Sequence, residues 1–278
     1  MIQSYQTLIN VDQLSTIQKE ESTVILDCRY YLADISKGRK EYLQSHIPGA
    51  YYMDIGLDLS SPVIKGVTGR HPLPHPKIIA STLCAAGMHN TSQVVVYDQS
   101  NGGYAARAWW LLKWLGHENV ALLDGGFESW KSKQLPLDNQ WPAPQHGTFQ
   151  FHLRDDFTTS VHELSTIEEQ IIDSREYKRY TGESEPIDPI AGHIAGAICI
   201  PYADNTFENG LWKSPEVLRS KFEAIQSDRT KPVFYCGSGV TACHNILAYK
   251  IATGQDARLY PGSWSEWINY YPAVIGEE

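Results

Sequence analysis

Between Pro232 and Tyr260 the chain alternates short apolar runs with longer stretches of helical spacing. "PVFY" (232–235) is too short for a helix and reads as a buried strand, and "ARLY" (257–260) reads as another. The stretch between them, "VTACHNILAYKIAT" (240–253), predicts a helix that Gly254 stops. Upstream, "PEVLRSKFEAI" (215–225) has helical spacing with Pro215 suited to the first turn. Short β-branched runs alternating with helices predict an α/β class, a mostly parallel sheet with helices on both faces. Ligands of such sheets sit beyond the carboxyl ends of the strands, which is where Cys236 falls.

The same order of signals is written twice. "VDQLSTIQ" at Val11 returns as "VHELSTIE" at Val161, and "ILDCR" ending at Arg29 returns as "IIDSR" ending at Arg175. "HIPGA" from His46 matches "HIAGA" from His193, and "VVVYD" ending at Asp98 matches "PVFYC" ending at Cys236. "DGGFESW" from Asp124 matches "PGSWSEW" from Pro261, so the offset drifts from 150 down to 137 through small loop differences. Matches in unbroken order indicate a duplicated domain. The joint falls in "KQLPLDNQWPAPQHGTF", where prolines and polar residues interrupt any period. The expected division is a first domain over 1–140, a linker over 141–156 and a second domain over 157–278.

Composition narrows the function classes. With 278 residues, 42% hydrophobic and 20% charged, the chain has the balance of a soluble globular protein. A net charge of −9 argues against a nucleic-acid or anionic-membrane surface, although it leaves room for one cationic cleft. The opening "MIQSYQTLINVDQL" lacks a basic n-region followed by an apolar core, and no run approaches the length of a membrane span. Five cysteines without a CxxC pair point to a reducing cytoplasm rather than to disulfides or zinc. No metal, nucleotide or flavin motif is present.

Strand, glycine loop and helix together aim backbone N–H groups at one spot. Gly237 and Gly239 allow the turns required. A thiol at that spot would have its pKa brought from about 8.5 towards roughly 3.5–7.5, which makes Cys236 an expected nucleophile. The alternative is a buried packing cysteine. Against it, the first copy has Asp98 in the thiol's place, and a carboxylate is costly to bury; the position therefore reads as the mouth of a site. A phosphatase-type loop would have Arg where Ala242 stands, and the loop offers no histidine for a protease pair. What remains suits a small anionic sulfur group on Cys236, a persulfide.

"CGSGVTA" (236–242), the duplicated "HIPGA"/"HIAGA", "DSR" and "GSWSEW" resemble the tandem-domain rhodaneses, the thiosulfate and 3-mercaptopyruvate sulfurtransferases. The resemblance covers nearly the whole chain. It implies two rhodanese-like domains, the first without its cysteine, and a second whose cysteine carries sulfane sulfur from a small donor to cyanide or a thiol, including that of a reduced thioredoxin-like protein. "CGSGVTA" is the form of the mercaptopyruvate type, where thiosulfate enzymes typically have basic loop residues. Ser238 would relay a proton, and Thr241 would do likewise or cap the helix. Gly237, Gly239 and Val240 would line the substrate. Similarity assigns Arg179 to the substrate carboxylate, the alternative being a solvated surface arginine. His71 in "GRHPLP" matches a family histidine at the domain interface that assists proton movement, or else it packs there.

Two departures bear on the donor. Ile187 stands where mercaptopyruvate enzymes usually have a second arginine, and Gly56 in "MDIGLDL" stands where an Asp is often found. The arginines of "DCR" and "DSR" read as scaffold, each pinning a strand to a loop. The expected activity is sulfur transfer through a Cys236 persulfide with 3-mercaptopyruvate preferred. Thiosulfate is the alternative donor, and a non-catalytic or carrier role is the reading from another class.

Overall fold

Among the described residues, the first half forms five parallel strands: β1 (Leu8–Ile9), β2 (Thr23–Asp27), β3 (Tyr51–Tyr52), β4 (Gln93–Tyr97) and β5 (Val120–Leu123), in sheet order β1-β5-β4-β2-β3. The described residues of the second half form four: β6 (Ile171–Asp173), β7 (Ala197–Cys199), β8 (Val233–Tyr235) and β9 (Arg258–Leu259), also parallel, in order β7-β6-β8-β9. The computed structural model describes residues 4–225 and 231–277. Residues 1–3 of the opening stretch, read above for a leader, lie outside them.

The predicted helices are present. Pro215–Lys221 starts with Ser214 accepting from Val217 N–H, and Thr241–Thr253 ends on Gly254 at φ 75°. The chain separates into two units. One comprises Met1–Ser61, Pro74–Arg154 and Thr206–Trp212; the other comprises Pro62–Leu73, Asp155–Asn205 and Lys213–Glu278. Two short segments thus belong with the half of the sequence they are remote from. The joint is not a free tether: Gln145, Gly147 and Phe149 N–H groups donate to Ala85, Cys84 and Met88 carbonyls of the first unit.

The duplication extends to single hydrogen bonds. Both copies open with a capping box, Asn10 with Gln13 and Ser160 with Glu163. Asp27 faces Tyr97 across β2 and β4, and Asp173 faces Tyr235 across β6 and β8. Each aspartate takes a two-pronged guanidinium, Arg29 at 2.7 Å and Arg175 at 2.6 Å, and each arginine reaches on to a loop carbonyl, Ser45 or Gly192. These pairs are buried and scaffold-like, as expected. His46 stacks on Tyr42 at 4.0 Å and His193 on Tyr180 at 3.8 Å.

Asp98 ends β4 as Cys236 ends β8, but its burial corrects the expectation of an open mouth. Asp98 is 0% exposed. Its Oδ1 accepts Ser100 and Gly102 N–H at 3.1 and 2.9 Å, and its Oδ2 accepts Tyr104 and Ala105 N–H at 2.9 and 3.2 Å. Four amides compensate the carboxylate, although burial still lifts its pKa above the ordinary range. Asp98→Asn puts an NH₂ group against two of these donors. It is expected to cost about 2–4 kcal/mol in urea unfolding through buried unpaired N–H groups, and an unchanged unfolding curve would contradict this account.

Candidate active site

β8 delivers Cys236 to the loop Cys236–Val240, and the helix Thr241–Thr253 follows with Val240 at its N-cap. Gly239 folds the loop back at φ 75°, where a Cβ would lie 2.3 Å from Pro261 O, so only glycine fits. Its N–H donates to Cys236 Sγ at 3.2 Å. The cysteine is 1% exposed, a deeper position than the sequence suggested.

The groups beside the loop are polar. A Cβ on Gly237 would lie 2.8 Å from Arg70 Nη2 and 3.4 Å from Arg179 Nη2, which places two guanidinium groups against this backbone. Ser238 Oγ is 2.8 Å from His71 Nδ1. Val240 is buried at 4%, and Thr241 is half-buried as the first residue of the helix. The second unit therefore brings together Cys236, Gly237, Ser238, Gly239, His71 and Arg179 from three separated segments.

Carboxylates organise the arginines. Arg179 gives Glu185 a bidentate pair, with Nε at 3.0 Å from Oε2 and Nη2 at 2.8 Å from Oε1; Nη2 also meets Asp188 Oδ2 at 3.1 Å. Arg70 pairs with the other oxygen of Asp188. Glu185 also takes Arg175 Nη1 at 3.2 Å and the N–H groups of Ile187 and Asp188. Two cations and two anions balance, yet Arg70 Nε is buried with no hydrogen-bond partner among the described residues.

Sequence reasoning missed Arg70. It adjoins His71 in "GRHPLP" but is 118 residues from Asp188, and nothing local shows that the segment 62–73 packs with the second unit. Ile187, at the position of the expected second arginine, is 43% exposed. A second guanidinium is nevertheless present at the loop, contributed by Arg70 instead.

The model of the Rhodanese-like domain matches residues 10–133 and again 158–270. The chain belongs to the rhodanese family. A probable 3-mercaptopyruvate sulfurtransferase of Pseudomonas aeruginosa is 47% identical over 268 residues, 94% of each chain. The thiosulfate sulfurtransferase of Bos taurus is 36% identical, covering 89% of this chain and 86% of its own. The structure of 3-mercaptopyruvate sulfurtransferase from Leishmania major superposes with a TM-score of 0.85 at 30% identity, over 96% of this chain and 75% of that one. The two rhodanese domains correspond to the two copies read from the sequence, and both sheets are parallel with helices, as expected for an α/β chain.

Glu185 joins Arg175 to Arg179, and its behaviour with pH is a test. Burial pushes its carboxyl up, but the Arg179 guanidinium and the Asp188 and Ile187 amides outweigh burial and hold it below the usual range. A depressed carboxylate stabilises the fold above its unfolded pKa of about 4.3, and that contribution is lost as pH falls through the folded value. Glu185→Gln should therefore be less stable than the parent by about 3 kcal/mol at pH 7. The gap should shrink in chemical denaturation below about pH 4. A gap independent of pH would refute the assignment.

Proposed function

We propose that this protein moves sulfane sulfur from a small donor, 3-mercaptopyruvate in preference to thiosulfate, through a persulfide on Cys236 to cyanide or a thiol. The observation that carries the reading is the convergence at one loop of a sulfur held by an amide, a Ser238–His71 pair and two guanidinium groups. The 47% identity to a probable 3-mercaptopyruvate sulfurtransferase supports the choice of donor.

Arg70 and Arg179 hold the donor's carboxylate beside Gly237, which sets its sulfur towards Cys236 Sγ. The Cys236 thiolate attacks that sulfur and the carbon–sulfur bond breaks, its electron pair going to carbon as the enolate of pyruvate. The proton of the donor's S–H passes to that carbon, with Ser238 and His71 as the relay, leaving pyruvate and Cys236–S–S⁻. Cyanide or a thiolate then attacks the outer sulfur and releases Cys236 as thiolate, closing a double displacement. With thiosulfate the same attack expels sulfite. Gly239 N–H, on the inner sulfur, stabilises the negative charge that sits there as the attacking thiolate in the first half and returns as the leaving thiolate in the second. Thr241, at the start of the helix, flanks the same anion. The acceptor class includes a reduced thioredoxin-like protein, and a reducing compartment such as the cytoplasm fits five unbridged cysteines. Among the described residues no helix is long and apolar enough to cross a membrane.

Intact mass spectrometry after exposure to each donor should show one added sulfur atom that cyanide removes and that Cys236→Ser never acquires. Turnover retained in Cys236→Ser would end the persulfide reading. Pyruvate release from mercaptopyruvate should exceed thiocyanate formation from thiosulfate in kcat/KM, and the reverse order would make thiosulfate the donor. Arg70→Met should raise KM for mercaptopyruvate about tenfold, the loss of one charge-assisted contact of roughly 1.4 kcal/mol. Alkylation of Cys236 by neutral iodoacetamide should remain unchanged in the same variant.

A further inference from the structure

The segment Pro261–Ser265 grips the peptide groups on either side of Cys236. Trp264 N–H donates to Cys236 O at 3.0 Å and Ser265 N–H to Gly237 O at 3.0 Å. The first copy makes the same grip: Phe127 N–H donates to Asp98 O at 2.9 Å and Glu128 N–H to Gln99 O at 3.1 Å. One position differs in kind. Where the first copy has Gly126 at φ +56°, the second has Ser263 at φ +54°.

A side chain there is unfavourable. The left-handed region crowds any Cβ, and among the described residues Gln134 is the other non-glycine to adopt it. A Cβ on Gly126 would also lie 2.7 Å from Asp98 O, so the first copy has no room for one. The second copy keeps a serine in the strained conformation at 0% exposure. Its Oγ accepts the N–H of Cys236 at 3.1 Å and donates to Tyr260 O at 3.0 Å. Strain retained at such a place indicates a function for the group that causes it.

We propose that Ser263 is a positioning residue for the Cys236 nucleophile. Its hydroxyl occupies the cysteine's N–H while the next residue holds the cysteine's carbonyl, so the Cys236 peptide cannot rotate. Sγ then stays under the Gly239 amide, in line with the incoming sulfur. The proposal rests on the reading of Cys236 as the sulfur carrier.

The first copy supplies the decisive variant. Ser263→Gly removes the hydroxyl and also the strain, so the lost hydrogen bond and the relieved backbone offset each other. Its melting temperature should fall by no more than about 2 °C. Its kcat should drop about tenfold or more with KM within about twofold, the pattern of a misplaced nucleophile with intact donor binding. Ser263→Ala keeps the strain and loses the bond; it should melt lower and lose kcat to a similar degree. Full kcat in Ser263→Gly would overturn the proposal, as would activity that follows melting temperature, with Gly normal and Ala impaired. A rise in KM with kcat retained would overturn it too, by placing the hydroxyl on the substrate. Sulfur uptake by the unmutated protein is measured first: its failure would remove the reading of Cys236, whereas uptake together with an unaffected Ser263→Gly would remove this inference alone.

Discussion

A buried backbone N–H without an acceptor costs more than most single contacts return, and the turn after each central strand concentrates several of them. In the first copy Asp98 answers with its own carboxylate, which takes four amides. In the second a shorter loop closes on Cys236 Sγ through Gly239 N–H, and Ser263 in the segment after β9 accepts the N–H of Cys236. The same constraint thus yields a turn closed on a carboxylate in one copy and a turn closed on a cysteine sulfur in the other. The chemistry follows from which side chain sits at the convergence point.

That point is fixed in space by the scaffold beneath it. A buried Asp–Arg pair breaks the fold if one member is removed, yet it gains little over an apolar pair, so its value here is geometric. Asp173 receives Arg175, whose other nitrogens reach Gly192 O and Glu185, and Glu185 in turn receives Arg179. One chain of charge-assisted bonds therefore runs from the central strand to the guanidinium beside the active loop. The first copy repeats its opening links, Asp27 to Arg29 to Ser45 O.

Much of this was legible in the sequence because it is local. Strand and helix periods, the Gly254 stop, the duplicated motifs and the exceptional loop at Cys236 each need fewer than about fifteen residues to read, the span over which periodicity and turn chemistry operate. Arg70 was not legible, since its significance depends on a pairing across 118 residues with Asp188. Nor was the burial of Asp98. Its identity suggested exposure, and only the folded loop reveals that four amides make burial tolerable. Ser263 was visible in the alignment of "GGF" with "GSW", but a serine in place of a glycine says nothing until its φ is known.

Placing both arginines on carboxylates also bears on the reaction. Two free guanidinium groups beside a buried sulfur would bind almost any anion, including spent product, whereas Glu185 and Asp188 cancel their net charge and leave direction. Paired in this way, the guanidinium groups act as oriented N–H donors more than as free charges. Recognition by oriented donors favours a planar carboxylate that can accept in parallel over a tetrahedral anion of the same size. On the function proposed here, a preference between donors would rest on shape more than on charge, even though the loop residues alone suggest the opposite.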